Sequence, residues 1–188
     1  MSIFEIVLTA ISLSMDAFAV AICKGLASKK VTLREMGIVG LWFGAFQGLM
    51  PLIGFLLASL FTKFPFITAI DHWIAFALLA LIGANMIKES FSPDSCDANA
   101  SLAFKVMLPM AIATSIDALA IGITLGLLPD VNIVLAVSLI GLITLTLSAV
   151  GVKVGTIFGS KYKSKAELVG GAVLVILGFK ILIEHLFF

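Results

Sequence analysis

The sequence predicts an all-α integral membrane protein whose six transmembrane helices form two inverted-topology repeats of three. Three observations carry this expectation: an apolar composition with no room for a soluble domain, a one-sided distribution of positive charge, and an internal duplication. Of the 188 residues, 61% are hydrophobic and 12% are charged, and the mean hydropathy is +1.21. A soluble domain carries about 25% charged residues. At about 20 residues per spanning helix, a chain of this length allows six or seven spans.

Apolar runs fall at 4–24, 36–60, 71–90, 104–128, 131–155 and 167–187. Each is too long for a barrel strand and lacks strict alternation, so each reads as a helix. The first lacks the cationic start of a cleavable signal peptide and is expected to remain as a span. Between the runs lie the charged "KGLASKKVTLRE", the Pro-containing "FTKFPF", the polar "SPDSCDANAS", the short Pro129-Asp130 turn and the basic "GSKYKSKAE".

Lys24, Lys29, Lys30 and Arg34 flank the first connection, Lys88 and Lys105 the third, and Lys153, Lys161, Lys163 and Lys165 the fifth. These are ten of the twelve Lys and Arg residues. The positive-inside rule therefore places the basic loops in the cytoplasm and both termini outside. A net charge of +1 and the lack of a dense basic stretch give no sign of a nucleic-acid partner. The two cysteines make neither a disulfide framework nor a CxxC metal motif.

The duplication is plainest around two intramembrane aspartates. At an offset of 101, "LSMDAFAVAICKGL" (13–26) matches "TSIDALAIGITLGL" (114–127), and residues 10–26 share nine identities with their counterparts, among them Ser14/Ser115, Asp16/Asp117 and Gly25/Gly126. The second and fifth runs align at 97, pairing Gly44/Gly141, Gln47/Thr144, Pro51/Ser148 and Gly54/Gly151. The third and sixth align at 95, pairing Leu79/Leu174, Gly83/Gly178 and Asn85/Lys180. The expected organisation is repeat 1 over 1–91, a cytoplasmic linker over 92–103 and repeat 2 over 104–188, all in one membrane domain. Three spans per repeat make the second enter the bilayer from the opposite side. Inverted repeats of this kind are a transporter architecture with the site near midplane.

An ionised Asp at the bilayer centre costs about 2.5–3.5 kcal/mol. Two at symmetry-related positions are best explained by a shared cation that offsets them. The candidate metal-binding residues are Asp16, Asp117, Gln47 and Thr144. Ser12, Ser14, Asn85, Ser115, Thr146 and Ser148 are secondary donors. Lys180 either snorkels to an interface or pairs with an aspartate once the cation has left. Oxygen ligands of this kind suit a hard divalent cation such as Mn2+, Mg2+ or Ca2+. No nucleotide-binding motif is present, and the Gly-x-Gly-Asp segment of intramembrane aspartyl proteases is missing, so the chain is not expected to be an enzyme.

The paired Ser-x-Asp-Ala-x-Ala segments, "FGAFQGLMPLIG" (43–54) and the six-span duplicated layout resemble the bacterial manganese efflux pump family MntP. The resemblance covers essentially the whole chain, and the family's intramembrane aspartates match Asp16 and Asp117. It implies a multi-pass exporter in the bacterial inner membrane, distantly akin to lysine exporter-type transporters, that carries Mn2+ outward as substrate with no cofactor. Membrane lipid is the expected surrounding, alternating access around the Asp pair the expected mechanism, and proton coupling and a homodimer are further expectations. The alternative is export of another divalent cation or of small amino-acid-like cations.

Overall fold

The computed structural model describes residues 3–28, 31–61, 71–91, 101–128, 131–158 and 163–187. All of its regular structure is helical: α1 (Ile3–Ala27), α2 (Leu33–Phe61), α3 (Asp71–Ser90), α4 (Phe104–Ala113), α5 (Ile116–Leu127), α6 (Ile133–Phe158) and α7 (Lys163–Phe187). No strand occurs among the described residues. Helices α1, α2 and α6 are each long and apolar enough to cross a bilayer. Together, α4 and α5 make a fourth such segment, bent by 43°. Residues 92–100 of the expected linker and the turn at 129–130 lie outside the described residues.

Local chemistry sets the helix boundaries. Thr32 and Glu35 form a reciprocal capping box before α2: the Thr32 N–H donates to Glu35 Oε2 at 2.7 Å, and the Glu35 N–H to Thr32 Oγ1 at 3.3 Å. Asn132 Oδ1 accepts the Leu135 N–H at 3.1 Å at the start of α6. Within α1, the buried hydroxyls of Thr9, Ser12 and Ser14 donate to carbonyls four residues back, at 2.8, 2.9 and 2.6 Å. Polar side chains are thereby satisfied without breaking the helix.

Instead of one helix over 104–128, the fourth run is two, separated at Thr114 and Ser115. The Thr114 hydroxyl turns back on the carbonyls of Met110 and Ala111. The Ser115 N–H reaches Ile112 O at 3.0 Å, tightening the turn. Pro109 in α4 removes one backbone donor a turn earlier. In the matching stretch of α1, Ser14 keeps its helical bond to Ala10 and the helix runs on unbroken.

Glycines set the helix pairing. A Cβ at Gly155 would overlap the backbone of Ile22, and one at Gly25 that of Val152. The contacts Ser14–Thr144, Phe18–Gly151 and Ile22–Gly155 advance together, so α1 and α6 are parallel. Gln47–Ser115, Pro51–Gly122 and Phe55–Gly126 make α2 and α5 parallel as well. Gly40–Leu145, Gly44–Gly141 and Gly48–Val137 run in opposite senses, so α2 and α6 are antiparallel. It follows that α1 and α5, which carry the two aspartates, point in opposite directions. Helix α3 packs chiefly on α7. Among the described residues, every extensive helix contact joins a residue before 92 to one after 103, and α1 and α2 scarcely touch.

Candidate functional site

Two apolar clusters divide the interior along the helix axes. One gathers Ile6, Ala10 and Leu13 of α1 with Ala118, Ile121 and Leu125 of α5 and Ala136 and Ile140 of α6. The other gathers Ala17 and Ala21 of α1 with Val39 and Phe43 of α2, Met107 and Ala111 of α4 and Val152 of α6. Between them lies a polar layer. Ser14, Gln47, Ser115, Thr144 and Ser148 are all fully buried there.

The layer is held by hydrogen bonds that cross between helices. Ser14 Oγ donates to Ala10 O, which leaves Thr144 Oγ1 as donor in the 2.7 Å bond between the two hydroxyls. Gln47 uses both ends of its amide: Nε2 donates to Leu13 O at 3.1 Å, and Oε1 accepts from Ser115 Oγ at 2.8 Å. Exchanging each residue for its repeat partner, Ser14 for Ser115 and Thr144 for Gln47, turns one side-chain bond into the other. Among the described residues, the Ser148 hydroxyl is buried with no hydrogen-bond partner. It sits one turn beyond Thr144.

Both aspartates stand two residues past a serine of this layer and are half-buried. Asp16 is midway along the continuous α1. Asp117 lies in the first turn of α5, where its Oδ1 accepts the Ala118 N–H at 2.7 Å. The break gives this carboxylate a helix N-terminus, an end that favours negative charge. A discontinuous helix at the site was missed by the sequence reading. The adjacent Thr114 and Ser115 after Pro109 were its only signal.

The remaining candidates are placed as follows. Ser12 is buried and bonded within α1. Thr146 is exposed on α6 and donates to Leu142 O and Ile143 O of its own helix, so the structure does not bring it into the layer; α6 turns about 100° per residue and Thr144 faces the other way. Asn85 belongs to α3, but its side chain is outside the described residues. Lys180 is ion-paired with Glu5 in the first turn of α1, away from the polar layer. Lys24, read from the sequence as part of a loop, is instead in the last turn of α1 and buried. Cys23 is disulfide-bonded, contrary to the expectation of unlinked cysteines.

Among the described residues, no three His, Cys, Asp or Glu side chains cluster as a metal site. Amide, hydroxyl and carbonyl oxygens make up this layer, with a carboxylate two residues along the chain from each of its serines. That donor set fits a hard, partly hydrated divalent ion.

A family profile described as "Putative manganese efflux pump" matches residues 30–182. A protein of that description from Acetivibrio thermocellus is 54% identical over 187 residues, covering 99% of this chain and 93% of the relative. One from Desulfitobacterium hafniense is 55% identical over 185 residues, covering 98% and 96%. One from Campylobacter jejuni is 53% identical over 189 residues, the whole of both chains. No solved structure matches. The chain belongs to the MntP family of manganese efflux pumps.

Proposed function

We propose that the protein exports Mn2+ from the cytoplasm by alternating access around a midplane site built from Asp16 and Asp117, with Gln47, Thr144 and the hydroxyls of Ser14, Ser115 and Ser148 beside them. The observation that carries this reading is the buried polar layer between two apolar clusters, with a half-buried aspartate at the same repeat position on each of two antiparallel helices beside it. Family membership supplies the choice of manganese and of outward direction.

The reading includes six spans in two inverted repeats, basic loops in the cytoplasm and both termini outside. The antiparallel run of α1 and α5 and the repeat-exchanged hydrogen bonds support the inversion; the one-sided lysines support the orientation. Two carboxylates neutralise a divalent ion, which makes an occluded state tolerable in a dry interior. The apolar clusters then act as alternate seals, one yielding toward the cytoplasm and the other outward. A proton returning on the aspartates closes the cycle, because neighbouring carboxylates raise one another's affinity for it.

The test is Mn2+ flux in reconstituted vesicles, with and without an imposed proton gradient. Losing a mere outer-shell partner of a metal costs about 10–100-fold in affinity or activity. Asp16→Asn and Asp117→Asn should therefore each lower flux by at least about tenfold, with the protein still inserted. Near-normal flux in both variants overturns the assignment.

A further inference from the structure

The Lys24 side chain is only 2% exposed, and it ranks among the largest fully buried side chains of the chain. Its Nζ donates to the Ser101 carbonyl at 2.8 Å. Ser101 in turn accepts the Ala103 N–H on its hydroxyl at 3.2 Å, and Ala103 O begins the hydrogen-bond ladder of α4. One ammonium thus joins the end of the Asp16 helix to the start of the segment that leads to Asp117. The space beside it is a cavity of about 10 Å3, lined by residues including Ser28, Glu35, Leu102 and Val152. That is room for about one water and none for a hydrated divalent ion.

Stability alone does not account for this charge. A buried ion pair, taken whole, is often replaced by well-packed apolar residues at no loss of stability, or with a gain. The repeat partner of Lys24 is Leu125, 3% exposed in an apolar cluster, so the same place in the second copy is filled without charge. An ammonium differs from a leucine in one useful respect. Its bond to a carbonyl is strong while the surroundings are dry, and it is readily exchanged for water once they open.

We propose that Lys24 is the cytoplasmic latch of the transport path: it seals the mouth by tying α1 to the entry of α4, and it releases Ser101 each time the midplane site opens inward. This rests on the alternating-access reading above. Lys24 is a positioning residue that does not touch the cargo.

The test uses the full-length protein in lipid nanodiscs and vesicles, with the Cys23 disulfide reduced, and compares Lys24→Met with Lys24→Arg. Lys24→Met should speed amide deuterium exchange across 101–113 by at least about tenfold, as expected when local opening becomes easier. It should also lower the apparent KM for Mn2+ offered from the cytoplasmic face, because the inward-open form is more populated, and lower kcat, because closing is harder. Lys24→Arg should restore both toward wild type. Should Lys24→Met fail to accumulate, Lys24→Gln, a shorter neutral donor, is expected to change exchange and KM in the same direction. Unchanged exchange, or an unchanged KM and kcat, overturns the latch. If Asp16→Asn abolishes flux while Lys24→Met alters nothing, the latch alone falls. Wild-type flux in the aspartate variants removes the transport site instead, and the exchange result then reports only on packing.

Discussion

Gln47 joins two helices with one amide, and its loss should be felt at both. Gln47→Leu leaves the Ser115 hydroxyl without its acceptor in a buried layer. The expected cost is about 1–3 kcal/mol of stability in detergent unfolding. Thr144→Val is milder: it removes a donor from Ser14, which keeps its own bond to Ala10. Interhelical hydrogen bonds in membranes average about 0.6 kcal/mol, and that is the expected loss. The reverse order of effects would show that the Ser14–Thr144 bond matters more. Sequence offsets already paired Ser14 with Ser115 and Gln47 with Thr144. Which residue bonds to which was not legible, because the bonds run between the pairs and depend on how helices from different parts of the chain pack. Lys24 was illegible for a related reason: hydropathy registers the cost of a charge and is blind to the carbonyl that receives it.

At the scale of the helix, glycines show where backbones meet. Gly155→Val places side-chain atoms where the Ile22 backbone lies, forcing α1 and α6 apart. It should destabilise by about 3 kcal/mol or more, since overpacking that shifts side chains and backbone typically costs about 1–3 kcal/mol and here the obstacle is backbone itself. Gly37 in α2 has nothing within 4 Å of an added Cβ. Gly37→Ala should therefore leave packing intact and raise stability by about 0.5–1 kcal/mol through helix propensity. Thermal unfolding of the two variants side by side checks both signs. Each apolar run was legible as a helix from length and composition. The break at 114–115 was not, since Ile112–Leu128 is even more apolar than its unbroken counterpart in α1. Besides Pro109 and Thr114, what differs is tertiary: Ser115 gives its hydroxyl to Gln47, whereas Ser14 retains a bond within its own helix.

For the molecule as a whole, the lysine distribution makes a prediction independent of transport. In a background without the two native cysteines, a cysteine at position 2 should react with a membrane-impermeant thiol reagent in intact cells, and one at position 162 only after lysis. The opposite pattern would reverse the orientation and put the Lys24 mouth outside. The directions of α1 and α5 bear on the same point, because a bundle with its two aspartate helices parallel would have been incompatible with three spans per repeat.

One consequence follows from the way the helices choose their neighbours. Because the described residues before 92 touch one another so little, they form no interior of their own. Among the described residues, their glycine grooves are filled by the later segment, and that segment's grooves by them. Synthesised alone, either portion would sit in the bilayer with its seams open to lipid, in need of the other. Joining both portions in one chain makes that companion permanent.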